Sequence, residues 1–121
     1  MSDERGAAEC VVEAQGVLRR QALFREVNEH IEQLSDGWDF FDGPLAVLCE
    51  CGDADCADRV DLPRAEYEAV RAVSSRFVLR PGHESVERDL IVERREGYVV
   101  VEKRGVDAGT AERLDPRSRR D

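Results

Sequence analysis

The sequence predicts an α+β fold, with a long N-terminal helix and a shorter middle helix packed on a small, mainly antiparallel sheet, and a cysteine-rich knuckle tying a loop to a turn. Three observations carry this. Apolar residues recur at helical intervals up to Leu34 and again after Pro63. Short valine-rich runs bounded by glycine and proline fill most of the rest. Three of the four cysteines fall in the stretch Cys49-Glu50-Cys51-Gly52-Asp53-Ala54-Asp55-Cys56, and His83 stands alone in a Pro81-Gly82-His83-Glu84 turn.

A chain of 121 residues is long enough for one modest core. The expected division is a flexible N-terminus over 1–10, a single metal-stabilised domain over 11–105, and a mostly flexible C-terminal tail over 106–121. Within the domain, Val17, Phe24, Val27, Ile31 and Leu34 form the apolar stripe of an amphipathic helix, with Arg19, Arg20, Arg25, Glu26, Glu29 and Glu32 on the other face. Ser35-Asp36-Gly37 marks its end, because glycine takes the left-handed cap conformation. An aromatic loop, Trp38-Asp39-Phe40-Phe41, follows.

Leu45-Ala46-Val47-Leu48 then reads as a short buried strand running into Cys49, and Arg59-Val60-Asp61-Leu62 as the returning arm. Pro63 suits the start of a helix from Arg64 to about Val73, whose apolar side is Tyr67, Val70 and Val73. Arg76 to Arg80 is a third strand, stopped by Pro81-Gly82. The clearest hairpin is Asp89 to Arg94, a Glu96-Gly97 turn, and Tyr98 to Lys103. After Gly105 one helical turn is expected around Ala111, with Arg117 to Asp121 disordered.

Residues two apart on an extended segment point the same way, so Cys49 and Cys51 can grip one ion together. Gly52 permits the reversal that brings Cys56 back. With His83 as the fourth ligand, three thiolates and an imidazole make the complement of a closed tetrahedral zinc site. His30, Cys10, Asp53 and Asp55 are the alternatives to His83. An iron–sulfur cluster more often uses four thiolates. The predicted cofactor is therefore zinc, held by Cys49, Cys51, Cys56 and His83.

These residues also carry a resemblance. Cys-Glu-Cys, four residues and Cys, then Glu66-Tyr67-Glu68-Ala69-Val70-Arg71, Pro81-Gly82-His83-Glu84 and Val100-Val101-Glu102-Lys103, together with Phe24-Arg25-Glu26-Val27-Asn28-Glu29, resemble a family of small uncharacterised actinobacterial proteins. The resemblance runs from about Phe24 to Lys103. It implies the fold and no substrate. The use of arginine over lysine, with Lys103 the single lysine, matches a high-GC bacterial genome.

The function expected is that of a small cytoplasmic protein with a structural zinc site, acting by contact with another protein in a regulatory role. Clustered cysteines in a reducing compartment are ligands or reactive groups before they are disulfides. The start of the chain is acidic and polar, unlike a signal peptide, and no run is apolar enough for a membrane span. The acidic run Glu50, Asp53, Asp55, Asp58 and Asp61 reads either as a recognition face or as a solvated loop. The aromatic loop is a partner anchor or a plug against the sheet.

Three other classes follow from the same residues. A zinc-thiolate redox- or metal-responsive regulator needs accessible thiols. A nucleic-acid module is suggested by the knuckle with Arg117, Arg119 and Arg120, and opposed by a formal charge of −9. A zinc hydrolase is suggested by Glu84 beside His83. It is opposed by the lack of His-Glu-x-x-His and by four protein ligands that leave no open position. Glu84 then reads as a solvated turn residue or as an orienting partner of His83.

Overall fold

The structure, a computed structural model, describes residues 2–36 and 44–117, with side chains over 16–34 and 44–117. The Gly37 cap, the Trp38 to Phe41 loop, Arg119, Arg120 and the side chain of Cys10 lie outside those residues. The order is α1 (Ser2–Asp36), β1 (Leu45–Leu48), β2 (Arg59–Leu62), α2 (Arg64–Arg71), β3 (Arg76–Leu79), β4 (Leu90–Arg95), β5 (Tyr98–Glu102) and α3 (Gly105–Leu114). The fold is α+β. It has two small antiparallel sheets, a β1–β2 hairpin and a three-stranded sheet in the order β3-β5-β4.

The β1–β2 hairpin alternates. Leu45, Val47, Val60 and Leu62 are buried in facing pairs, while Ala46 and Asp61 face out. The three-stranded sheet does not alternate in its centre: Phe77, Val78 and Leu79 of β3 and Tyr98 to Val101 of β5 are all buried. Strands covered on both faces read as continuous apolar runs for this reason. On the outer strand β4 the register shifts between Ile91 and Glu93, and Ile91 and Val92 both pack against the core.

The largest departure from the sequence reading is the orientation of α1. Its buried line is Leu18, Gln21, Arg25, Asn28 and Glu32, with Glu29 beside it; of the expected stripe Val17, Phe24 and Ile31 are half-buried, whereas Val27 (39% exposed) and Leu34 (70%) face solvent, as does Leu23 (56%). Both lines have helical 3–4 spacing, so periodicity alone does not choose between them. The choice is made by partners elsewhere in the chain, which meet most of the inward polar groups, although Gln21 Oε1, Arg25 Nε and Glu32 Oε2 are buried without a hydrogen bond among the described residues. The Arg25 guanidinium lies 3.8 Å from the centroid of the Phe77 ring and donates to the carbonyls of Ser74 (2.8 Å) and Arg76. Glu29 accepts from Tyr67 Oη at 2.9 Å.

The chain after Gly105 forms a ten-residue helix, longer than the single turn that composition suggests. Its buried Ala111 and the residues beyond it dock on the same polar face. Arg71 binds Asp115 through Nη2 and Nη1, at 2.6 and 3.3 Å, and Arg117 reaches Glu29, Glu32 and Glu68. Burial raises the Asp115 carboxyl, and the Arg71 hydrogen bonds, the Arg117 N–H and the charges of Arg71 and Arg25 together outweigh it and hold the group at about 2. Ion pairs with partners far along the chain anchor a segment whose composition alone looks like a loose tail. At the other end, α1 begins at Ser2, within the 1–10 stretch expected to be flexible, through a run that contains the strong helix formers Ala7, Ala8 and Glu9.

Candidate metal centre

The β1–β2 hairpin presents three of the four candidate ligands in its loop. Cys49 continues the ladder through its N–H to the carbonyl of Asp58 (2.9 Å). The chain then turns at Gly52, whose φ of +80° belongs to the left-handed region. A Cβ there would come within 2.7 Å of Val17 Cγ1 and 2.8 Å of the Val17 carbonyl, so glycine is also what allows α1 to lie against the loop. Asp53 closes the return. Its side chain accepts from the N–H of Asp55 (2.9 Å), its carbonyl accepts from Cys56 (3.1 Å), and Cys56 arrives back beside Cys49.

His83 comes from the segment after β3. Arg80-Pro81-Gly82-His83 is a tight turn closed by His83 N–H to the Arg80 carbonyl (3.1 Å), with proline second and Gly82 third at φ +90°, the type II pattern. A buried ion pair anchors the same loop further on. Lys103 Nζ lies 2.5 Å from Asp89 Oδ1, and the other Asp89 oxygen accepts from the N–H of Ser85 at 2.8 Å. The chain's single lysine thus ties the His83 loop to the end of β5.

The hairpin loop and the turn after β3 bring Cys49, Cys51, Cys56 and His83 together, their ligand atoms all within 4.8 Å of one another. His83 Nδ1 is 3.5 Å from Cys49 Sγ and 3.6 Å from Cys56 Sγ. The cluster can hold a metal ion. Burial pushes the Cys49 thiol well up, and the neighbouring Cys51 and Cys56 sulfurs push it further; burial also raises Cys51. Backbone N–H groups work against this. Arg80 donates to Cys49 Sγ at 3.2 Å, and Asp53 donates to Cys51. A cation held among the sulfurs would supply the remaining compensation that thiolates need.

Of the alternatives to His83, His30, Asp53 and Asp55 are exposed and none joins the cluster. Two participants were not legible in the sequence. Asp58, not Glu84, approaches the second ring nitrogen of His83, with Oδ2 3.5 Å from Nε2. Glu84 instead lines an open cavity of about 540 Å³ beside the site, together with Arg20, Cys51, Arg88 and Lys103. Glu50 also departs from its expected place in an acidic surface run. It is fully buried, while Asp53, Asp55, Asp58 and Asp61 are exposed. A carboxylate between two ligands could have been flagged only by asking which donors it would need.

Comparison with family models, with curated proteins and with solved structures gave no match to this chain. Among the described residues no helix is long and apolar enough to cross a membrane.

Proposed function

We propose that the protein is a small cytoplasmic zinc protein whose metal is structural and which acts by contact with another protein, in a regulatory role. One observation carries the zinc assignment. A tetrahedral zinc with bonds of about 2.3 Å to sulfur and about 2.0–2.1 Å to nitrogen sets its sulfur and nitrogen ligands about 3.5–3.6 Å apart. The two His83 to cysteine distances are 3.5 and 3.6 Å. The donor set supports the same reading, since three sulfurs and an imidazole suit zinc over the hard cations. With the metal on Nδ1, the ring proton sits on Nε2 facing Asp58, an arrangement that orients the ligand.

Four protein ligands close the coordination shell, which favours a structural over a catalytic role. Contact with a partner is supported by the exposed Leu23, Val27 and Leu34 of α1 and by the exposed aspartates of the knuckle. The net charge of −9 disfavours nucleic acid as that partner. The Cys-x-Cys-x4-Cys and Pro-Gly-His-Glu pattern supports membership of the actinobacterial family it resembles. A second reading, a redox- or metal-responsive regulator, is favoured by the partial exposure of Cys51 and Cys56.

Elemental analysis of metal-replete protein should return about one zinc per chain. Iron with labile sulfide, or well under half an equivalent of any metal, contradicts the assignment. Alkylation separates the two roles: thiols protected while zinc is bound indicate a structural site, and rapid modification with zinc release indicates the responsive one.

A further inference from the structure

We infer that α1 sets the geometry of the metal centre, with Asn28 and Glu50 as positioning residues for Cys49 and Cys51. Leu48 fixes which way the Asn28 amide faces. Its N–H donates to Asn28 Oδ1 at 2.8 Å, and its carbonyl accepts from Asn28 Nδ2 at 3.0 Å. The second Nδ2 proton is thereby aimed at Glu50 Oε2, 2.9 Å away. The other carboxylate oxygen, Oε1, accepts the N–H of Val78 at 3.1 Å, and the Glu50 N–H donates to the Val78 carbonyl at 2.9 Å.

Val78 is on β3, an outer strand of its sheet, and Glu50 occupies both polar groups that this residue offers on the free edge. Two further side chains of α1 hold the same segment. Gln21 Nε2 donates to the Glu50 carbonyl at 2.9 Å, and Arg20 Nε donates to the Gly52 carbonyl at 2.6 Å. Residues 48, 50 and 52 are therefore pinned to α1 and β3. Cys49 and Cys51, which alternate with them, are left to face the metal side.

Both oxygens of Glu50 face donors, so the position requires an acceptor at each. Glutamine, the same size, would set its NH2 against either the Asn28 amide or the Val78 N–H. The defect would be passed to the two cysteines on either side. Partners that orient metal ligands typically contribute about ten- to a hundredfold to affinity.

This inference rests on the metal assignment above, and the test distinguishes the two. Zinc affinity is measured by competition with a chromophoric chelator for the full chain, for Glu50→Gln, for Gln21→Leu and for Val70→Ala, a core change in α2 that serves as the stability control. Glu50→Gln is expected to bind zinc about ten- to a hundredfold more weakly than the control at comparable loss of thermal stability, while still taking one ion. Gln21→Leu, which removes one bond, is expected to show a smaller loss in the same direction, and it decides the matter if Glu50→Gln does not fold. Affinity in Glu50→Gln or Gln21→Leu no lower than the control accounts for overturns the inference and leaves the metal site standing. A wild-type chain that takes no metal overturns both.

Discussion

In the β3-β5-β4 sheet the central side chains are valine, leucine and phenylalanine, whereas the equally buried centre of the knuckle consists of a thiol, a carboxylate and the amides that face them. Apolar side chains gain by burial alone, at roughly 25 cal/mol per Å² of surface removed from water. Thiols that must ionise and a carboxylate do not; each needs a partner before it can be buried. The sheet therefore stands on packing. The knuckle, on the proposed reading, would stand on a metal and on the polar face of α1, which leaves Val27 and Leu34 facing outward.

Metal removal should separate the two regions most strongly. Free zinc at a thousandfold above its Kd adds about 4 kcal/mol of stability, and chelation removes it. Hydrogen exchange should then show amides of 49–58 and 80–85 losing protection first, with those of α1 around Arg20 to Asn28 following, while Tyr98 to Glu102 stay protected. If the sheet and the knuckle open together, the division is wrong.

Next in size is Phe77→Ala, which attacks the apolar sheet and its contact with Arg25 of α1 but none of the four ligands or their hydrogen-bond partners. The ring is 1% exposed, and its loss, with the Arg25 contact over its face, should cost about 3 kcal/mol or more. Metal content per folded chain should not change. Loss of zinc along with stability would show that the two regions are not independent.

The smallest effect concerns the acid cluster on the polar face of α1. Burial, then the hydrogen bond and charge of Glu68 and the charge of Glu29, push the Glu32 carboxyl up to about 7 from 4.5, against the pull of Arg117. Between those values the folded chain keeps a proton that the unfolded chain has released. Stability therefore falls as pH rises through this window. Asp115, held at about 2, exerts its opposite effect below about pH 4 and does not mask the slope. Thermal midpoints of Glu32→Gln should decline less than wild type from pH 4.5 to 7. Parallel curves would remove Glu32 from the account.

How much of this was legible in the sequence depends on where each residue finds its partners. The hairpin of β4 and β5, the short α2 helix and the clustering of Cys49, Cys51 and Cys56 follow from neighbours in the chain, and spacing reveals them. His83 was legible because proline and glycine announce its turn. The face of α1 was not. Val17, Phe24, Val27, Ile31 and Leu34 look like the core line, yet only Val17, Phe24 and Ile31 are even half-buried. They look so until it is known that Asn28 meets Leu48 and Glu50, that Glu29 meets Tyr67, and that Arg25 meets Ser74 and Arg76. Those pairs are 20 to 51 residues apart in sequence, and a local pattern holds no record of them. Asp115 and Arg117 anchor the C-terminal segment for the same reason.

The central claim is that Cys49, Cys51, Cys56 and His83 form a closed, four-coordinate centre. Cobalt substitution tests it most directly, because cobalt adopts the geometry of the site and reports it in its absorption spectrum. The account predicts intense visible bands of a tetrahedral ion and sulfur-to-metal charge transfer from three thiolates, with both weakened in Cys51→Ser and in His83→Ala. A five-coordinate spectrum with an exchangeable water, or one unchanged by His83→Ala, would contradict it.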